Sequence, residues 1–505
     1  MIENKKFHGK GLRGSDISNR PSTFEGRFGR IFKSSPGAIF DEDALLLLAD
    51  KMVSKAEDSP TPEEEIDSEE NPNIPAGYTY LGQFIDHDLT FDPVSFLQGR
   101  NDPDGLTDFR TPRFDLDSVY GRGPSDNPFL YDGDGVKLLL GRPLTGSDWD
   151  ANTRDLQRNS PHSGEQRAII GDPRNDENVI VSQLQSNFIR FHNRMVDVLT
   201  PAAGPAPSFD EANRFVRWHY QWVVLNDFLP RIIGEETIKA ILPDYKRQTP
   251  LSSARVQKTF YEPQGKGYIP IEFTAAVYRF GHSMIRPIYR LNTNIPRFEI
   301  FSMNPATSLL GFRAFPDNWA IDWRLYFPIE VRPLLGPTRV QPSYKIDSSL
   351  VNPLQNLPDP VAQTMKSLAA RNLLRGASMS LPSGQVAARK MNIPVLPEEK
   401  LKVGKANEDI PTNPEIRAIS PEFEGNAPLW YYILAEAQQD PNNTRLRGVG
   451  ARIIGEVFIR LLIEDPSSYL CLQPSWTPFH SFTRPGSLSD AEFGMAELLM
   501  QSKQA

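Results

Sequence analysis

Residues 82–91 read Gly-Gln-Phe-Ile-Asp-His-Asp-Leu-Thr-Phe, and no other stretch constrains the fold as much. One imidazole sits between two carboxylates among Phe84, Ile85, Leu89 and Phe91. An ionised carboxylate left unpaired in apolar surroundings is costly, so each acid needs a cation, a metal or a covalent partner. His87 is therefore a candidate acid or base, and Asp86 and Asp88 need separate explanations.

At 505 residues the chain has room for two or three average domains or for one large enzyme unit. Hydrophobic residues at 39% and charged residues at 23% give the balance of an ordinary soluble protein. The longest apolar runs, such as residues 44–49, are too short for a membrane span. A net charge of -8 argues against a nucleic-acid-binding face. The single cysteine, Cys471, excludes an intrachain disulfide and a cysteine-based metal cluster, and is expected in the core. Residues 1–20 are polar and lack the apolar centre of a secretory signal. The expectation is a cytoplasmic protein, unless export follows a route the sequence does not display.

Residues 1–40 lack sustained periodicity and are expected to form an N-terminal arm, with one domain over residues 41–505. Within it, residues 55–72 carry Glu63, Glu64, Glu65, Glu69 and Glu70 and read as a solvated acidic loop. The strongest helical pattern spans residues 176–199, where Ile180, Leu184, Phe188, Phe191, Met195 and Leu199 form one stripe. A second spans 210–228 through Phe215, Trp218, Trp222 and Leu225, with Leu229 continuing the rhythm. A third spans 450–463 through Ile453, Val457 and Leu461 and ends before Pro466. Shorter patterns fall at 81–89, 274–285, 361–371 and 429–437. Strand-like alternation is scarce and there are 45 prolines, so the expectation is a mainly α body with long Pro-rich loops and few short strands.

Three further segments carry chemistry. In residues 111–121, oxygen-bearing groups recur at alternate positions, so Thr111, Asp115 and Asp117 could face one centre with the Arg113 carbonyl between them. With Asp88 they make a hard oxygen set that suits calcium, whereas zinc would want His or Cys; the alternative is an Asp-rich turn. In residues 171–178, Arg174 and Glu177 stand three apart near a helix start, either as a fixed cation and carboxylate for a ligand or as a simple salt bridge. In residues 277–285, His282 and Arg279 interrupt an apolar stretch, as a ligand with a companion cation or as a satisfied core histidine. His192 reads as a packing or hydrogen-bonding residue, and Trp218 and Trp222 as core.

Taken together these segments resemble the animal-type haem peroxidases, the superfamily of myeloperoxidase, lactoperoxidase, peroxidasin and the cyclooxygenases. The resemblance covers roughly residues 75–480 and rests on the order and spacing of the motifs, while the lack of disulfides and of a secretory signal looks more like a compact, bacterial-type member. It implies one large helical haem peroxidase domain that reduces hydrogen peroxide, with a part in the response to oxidative stress. The donors it implies are small: bromide, iodide, thiocyanate, or phenolic and other aromatic compounds. It implies haem b bound to iron through His282, with Asn372 as the partner accepting from that ring, and Arg279 and Arg375 at the propionates. On the other face it implies His87 as the base, Arg174 as the stabiliser of developing charge and Gln83 beside the iron. Asp86 and Glu177 match the carboxylates that form ester links to haem. Asp88, Thr111, the Arg113 carbonyl, Asp115 and Asp117 match a Ca2+ site.

There are departures. Asn178 stands where myeloperoxidase carries a methionine linked to haem, so that third link is not expected. Asp117 replaces a serine-type ligand and adds charge. A fatty-acid dioxygenase of the same superfamily would need a tyrosine three residues before His282, where this chain has Arg279. A calcium-stabilised adhesive protein without catalysis would tolerate loss of His87, Arg174 or His282, yet all three are present. The sequence specifies neither the physiological donor nor the oligomeric state.

Overall fold

The computed structural model describes residues 28–33, 35–55, 61–91, 108–263, 267–302, 304–407, 410–442, 444–483 and 492–505. The longest helices are those whose apolar stripes were clearest. Val179–Leu199 buries Ile180, Leu184, Phe188, Phe191 and Met195. It begins three residues later than the pattern suggests, because Pro173–Asp176 forms a separate 3-10 turn capped by Asp172. Asn178 then caps the helix, its side-chain oxygen accepting from Ile180 N at 3.1 Å and Val181 N at 2.9 Å. Phe209–Val223 is capped by Ser208 and runs through a wider turn at Val224–Phe228 into Leu229–Ile233. Trp218 and Trp222 are buried, as expected. Leu429–Ala437 is buried on every side, and Gly448–Glu464 packs against it.

Two patterns differ from expectation. Residues 274–285 do not make one helix: Ile271–Ala275 ends at Ala276 (φ -138°, ψ -68°), and a 3-10 turn, Val277–His282, follows. The cause is Arg279, whose Nε donates to the Thr274 carbonyl at 2.9 Å and so takes the acceptor a continuing α-helix would use. The pattern at 361–371 is displaced to Leu368–Ser378, which starts where Ser367 caps it. Glu42–Lys51 and Met495–Ser502 are helices that the sequence pattern did not mark.

The strands are few and short. Glu70–Pro75 pairs antiparallel with Pro342–Tyr344, Glu70 opposite Tyr344, and Ile288–Tyr289 pairs with Phe298–Glu299. The first pair corrects the reading of residues 55–72 as solvated. Glu70 is buried and accepts from Arg286 at 2.7 Å and Arg339 at 2.9 Å. Glu63 takes two 2.8 Å bonds from Arg290, and Glu69 pairs with Lys405. Guanidinium forks neutralise Glu63 and Glu70 and the Lys405 ammonium neutralises Glu69, which permits their withdrawal from solvent, while Glu64 and Glu65 are exposed as expected. Residues 56–60 of that stretch, and residues 1–27 of the expected arm, lie outside the described residues. Residues 28–33 pack onto the body through Gly29 N to the Ile269 carbonyl at 3.0 Å.

Cys471 is exposed rather than in the core, since the short Tyr469–Leu472 helix turns Tyr469 and Leu470 inward. One continuous apolar cluster joins all the long helices. No helix among the described residues is long and apolar enough to cross a membrane.

Candidate active site

Helix Gly77–Leu89 positions the first group. Its first residue must be glycine, because a Cβ there would lie 2.4 Å from the Phe327 ring and 2.6 Å from the Tyr326 carbonyl. All of this helix is buried except Gly82, Gln83 and Asp86, which share one face. His87 is buried beside that face; its Nδ1 lies 2.7 Å from Asn175 Oδ1 and its Nε2 3.8 Å from Glu177 Oε1. Burial and the positive charge of Arg174 lower the imidazole's pKa to about 3, so the ring is neutral.

Arg174 does not pair with Glu177, as the i,i+3 spacing suggested. Its guanidinium donates to Asp172 (Nη2 at 2.8 Å) and to the carbonyls of His87 at 3.1 Å and Thr90 at 2.5 Å, and lies 4.7 Å from the Phe91 ring. Asp172 wins because it caps the 3-10 turn that carries Arg174, within reach of both the backbone and the guanidinium. Burial opposes ionisation of Asp172, yet Arg174 and Arg110 hold its carboxyl well below the usual carboxylate range. Glu177 instead accepts from Gln83 Nε2, while Asn178 Nδ2 donates to Gln83 Oε1 at 3.1 Å. Burial pushes the Glu177 carboxyl up to about 7 and raises that of Asp86, whose Oδ1 accepts from Thr90 Oγ1 at 3.2 Å. The Glu177 backbone is fixed by residues 309–312, where Gly311 N donates to its carbonyl at 2.9 Å.

The carboxylates of Asp88, Asp115 and Asp117 converge, with one oxygen from each lying within 4.8 Å of the others. Thr111 Oγ1 donates to Asp115 at 2.8 Å and so joins the cluster, while the Arg113 guanidinium lies 3.9 Å from Asp465. Leu116, between two of the acids, is held at φ 58°, ψ 34°, a left-handed conformation that costs a branched residue on the order of 1–3 kcal/mol. Burial, then repulsion from Asp115, pushes Asp88 up to about 8. Asp117 is compensated in a way the sequence did not disclose: Arg110 Nη1 reaches it at 3.1 Å, while Nη2 of the same guanidinium binds Asp172.

The second histidine ends the 3-10 turn Val277–His282, where Arg279, Gly281 and His282 are the half-buried members. Tyr278, in the same turn, donates its hydroxyl to the Gly82 carbonyl at 3.2 Å, which fastens this segment to the first helix. Burial and Arg279 lower the His282 pKa to about 3, leaving a second neutral imidazole. Asn372 meets His282 Nδ1 at 2.8 Å but presents its nitrogen, because its oxygen accepts from Arg279 Nη1 at 3.2 Å. The resemblance implies the opposite polarity, in which the ring donates to the amide oxygen. Arg375 follows one turn later on the Leu368–Ser378 helix, also half-buried.

The residues missed in the sequence are Asn175, Asp172, Arg110 and Gln185, all holding the first group in place. Asp172 and Asn175 flank Arg174 and were in view there; Arg110 and Gln185 gave no local signal.

The chain belongs to the animal haem peroxidase family, whose model matches residues 98–397. That span contains the carboxylate cluster apart from Asp88, together with Arg174, Glu177, His282 and Asn372, and begins after His87. The chain is 26% identical to Drosophila melanogaster peroxidasin over 324 residues, covering 62% of the chain and 18% of that relative. It is 24% identical to thyroid peroxidase of Canis lupus familiaris over 317 residues, covering 58% and 30%. It thus spans less than a third of the length of these relatives. The fold is that of peroxidase A from Dictyostelium discoideum (TM-score 0.60, 16% identity, 88% of each chain covered). It also matches Oryza sativa fatty acid alpha-dioxygenase (TM-score 0.55, 15% identity, 95% and 82% covered).

Membership implies haem as cofactor, and the residues present fit it. Two neutral imidazoles stand on segments that touch, and a Cβ built on Gly281, next to His282, would meet nothing within 4 Å, so a planar group can approach that residue. The two half-buried acids, Asp86 and Glu177, have carboxyls raised by burial.

Proposed function

We propose that this chain is a haem-dependent peroxidase that reduces hydrogen peroxide and oxidises small donors: bromide, iodide or thiocyanate, or phenolic and other aromatic compounds. The observation carrying this reading is the pair of neutral imidazoles on segments joined by Tyr278 and Gly82, one beside an ion-paired arginine and the other backed by an amide. His282 Nε2 would hold the iron, and Arg279 and Arg375 would meet the propionates. The proton would then sit on Nδ1, where the Asn372 amide oxygen would accept from it.

When bound, haem supplies the iron at which the peroxide O–O bond breaks and stores the two oxidising equivalents. His87 Nε2 accepts a proton from peroxide and returns it to the departing oxygen, which leaves as water. Its neutrality is what the first transfer needs. Arg174, its plane fixed by Asp172 and two carbonyls, places positive charge beside the reacting oxygens without reorganising. Gln83, bonded to Glu177 and Asn178, fixes a polar amide on the same face. Over a cycle peroxide gains two electrons and two protons to give two waters, and the donors lose the two electrons.

Asp86 and Glu177 would hold haem through ester links to its methyl groups, each replacing a methyl hydrogen by a carboxylate oxygen with peroxide as the two-electron oxidant. Asp88, Asp115, Asp117, Thr111 and the Arg113 carbonyl bind Ca2+, which removes the repulsion among the buried acids. The dioxygenase reading lacks a residue, since the required position is Arg279 and the Tyr278 hydroxyl is committed to Gly82.

Protein supplied with hemin should show haem absorption that shifts on adding peroxide, and should oxidise guaiacol or bromide; material that stays colourless with hemin overturns the reading. If the esters form, haem remains with the denatured polypeptide after peroxide treatment, and Asp86→Val with Glu177→Gln releases it. Free haem from the unaltered protein would remove the esters alone.

A further inference from the structure

Beyond the residues assigned above, the geometry points to Asn175 as the positioning residue that decides which nitrogen of His87 carries the proton. The inference deepens the peroxidase reading, on which it rests.

One group at the end of this chain of amides cannot change its polarity. The Ser118 carbonyl can only accept, and Gln185 Nε2 donates to it at 3.4 Å. Gln185 therefore turns its oxygen the other way, where Asn175 Nδ2 donates to it at 2.9 Å. Asn175 in turn must face His87 with its oxygen, 2.7 Å from Nδ1. An amide oxygen cannot donate, so Nδ1 of a neutral His87 bears the proton and Nε2 carries the lone pair. Asn175, Gln185 and Ser118 are each 0% exposed, so water cannot rescue a flipped amide. Inverting Asn175 would set its oxygen against that of Gln185, and inverting both would set oxygen against the Ser118 carbonyl.

The anchoring is also rigid. Asn175 lies inside the 3-10 turn capped by Asp172, and Gln185 lies two turns into the longest helix. The chain of amides thus presents His87 to peroxide already in the tautomer that can take a proton at Nε2. A ring holding its proton on Nε2 would have to rearrange first. Asn175 touches neither peroxide nor haem in this account; it acts through His87.

The test has two readouts. In the full-length protein without haem, labelled with 15N-histidine, long-range proton–nitrogen correlation distinguishes the two tautomers, and His87→Ala identifies the signal. His87 should show the Nδ1–H pattern at pH 7, and Asn175→Leu should lose it. With haem, Asn175→Leu should slow the reaction with peroxide roughly tenfold to a hundredfold, within the range of a misdirected general base. Hemin affinity should change less than about twofold. A wild-type His87 protonated on Nε2 overturns the inference, as does an Asn175→Leu protein that reacts at the wild-type rate. If wild type fails to react with peroxide at all, the peroxidase reading fails while the tautomer measurement still decides this one; it decides equally if Asn175→Leu does not fold.

Discussion

His87 and His282 are held in opposite ways. His87 stands in a regular helix, bonded to Asn175 and surrounded by an ion-pair chain that runs from Asp117 through Arg110 and Asp172 to Arg174. His282 stands at the end of a six-residue 3-10 turn with one amide beside it, and behind that turn Trp430 Nε1 donates to the Arg279 carbonyl at 3.2 Å. The contrast agrees with the roles proposed for the two rings. A ligand would take its final position from the bond to iron, so the protein need only orient it. A base has no such bond and must be placed by the polypeptide alone.

The largest test of this asymmetry is to delete each ring. His282→Ala should weaken hemin binding by on the order of a hundredfold or more, read by absorption titration. His87→Ala should keep hemin but slow the peroxide reaction by roughly a hundredfold or more. Equal loss of hemin in both variants would end the distinction.

The ion-pair chain comes next. Arg110→Met removes the arginine that pairs with buried Asp117 and one of the two that pair with Asp172, and should cost about 3–5 kcal/mol of stability by denaturant titration, whereas Arg279→Met, on the half-buried side, should cost only about 1 kcal/mol. Similar costs would show that the two walls are built alike. Removing calcium with a chelator should lower the melting temperature by several degrees, by mass action on the folded state, and should slow peroxide reduction before haem is lost. Prior loss of haem would place the metal's influence on the wrong side.

The smallest effect at neutral pH concerns Glu436, on the helix behind His282. Here burial raises the carboxyl to about 8, and it accepts from Val449 N at 3.0 Å without an arginine. A folded-state pKa above the unfolded value means the folded protein holds the proton more tightly. That contribution is full below the ordinary carboxylate range and is lost as pH rises through about 8. Wild type should therefore lose roughly 1–3 kcal/mol between pH 6 and 9, and Glu436→Gln should lose less while costing under about 1 kcal/mol at pH 7. Asp172, held ionised by two arginines, predicts the reverse for Asp172→Asn, with large loss at neutrality; matching pH profiles would erase the difference between the walls.

The sequence displayed the groups proposed to act and concealed those that hold them. His87, Arg174, Glu177 and His282 lie in short segments whose mixture of charge and apolar neighbours is visible locally. The long helices were readable because their apolar side chains repeat at the helical period. Arg110 and Gln185 offer no such signal, since Arg110 contacts Asp172 62 residues on and Gln185 reaches back 67 to Ser118. The acidic run was misread for the same reason: Arg286 and Arg339 approach Glu70 from 216 and 269 residues away. At 274–285 periodicity implied one helix, and a single arginine side chain competing for the Thr274 carbonyl broke it.

The bond from the Tyr278 hydroxyl to Gly82 has a mechanical consequence. On the proposed reading it ties together the two segments that would flank a porphyrin, so the disc would slide in edgewise rather than be wrapped by halves that shut upon it. A macrocycle puckered or swollen out of flatness should then be refused at the threshold, whatever its affinity for an imidazole.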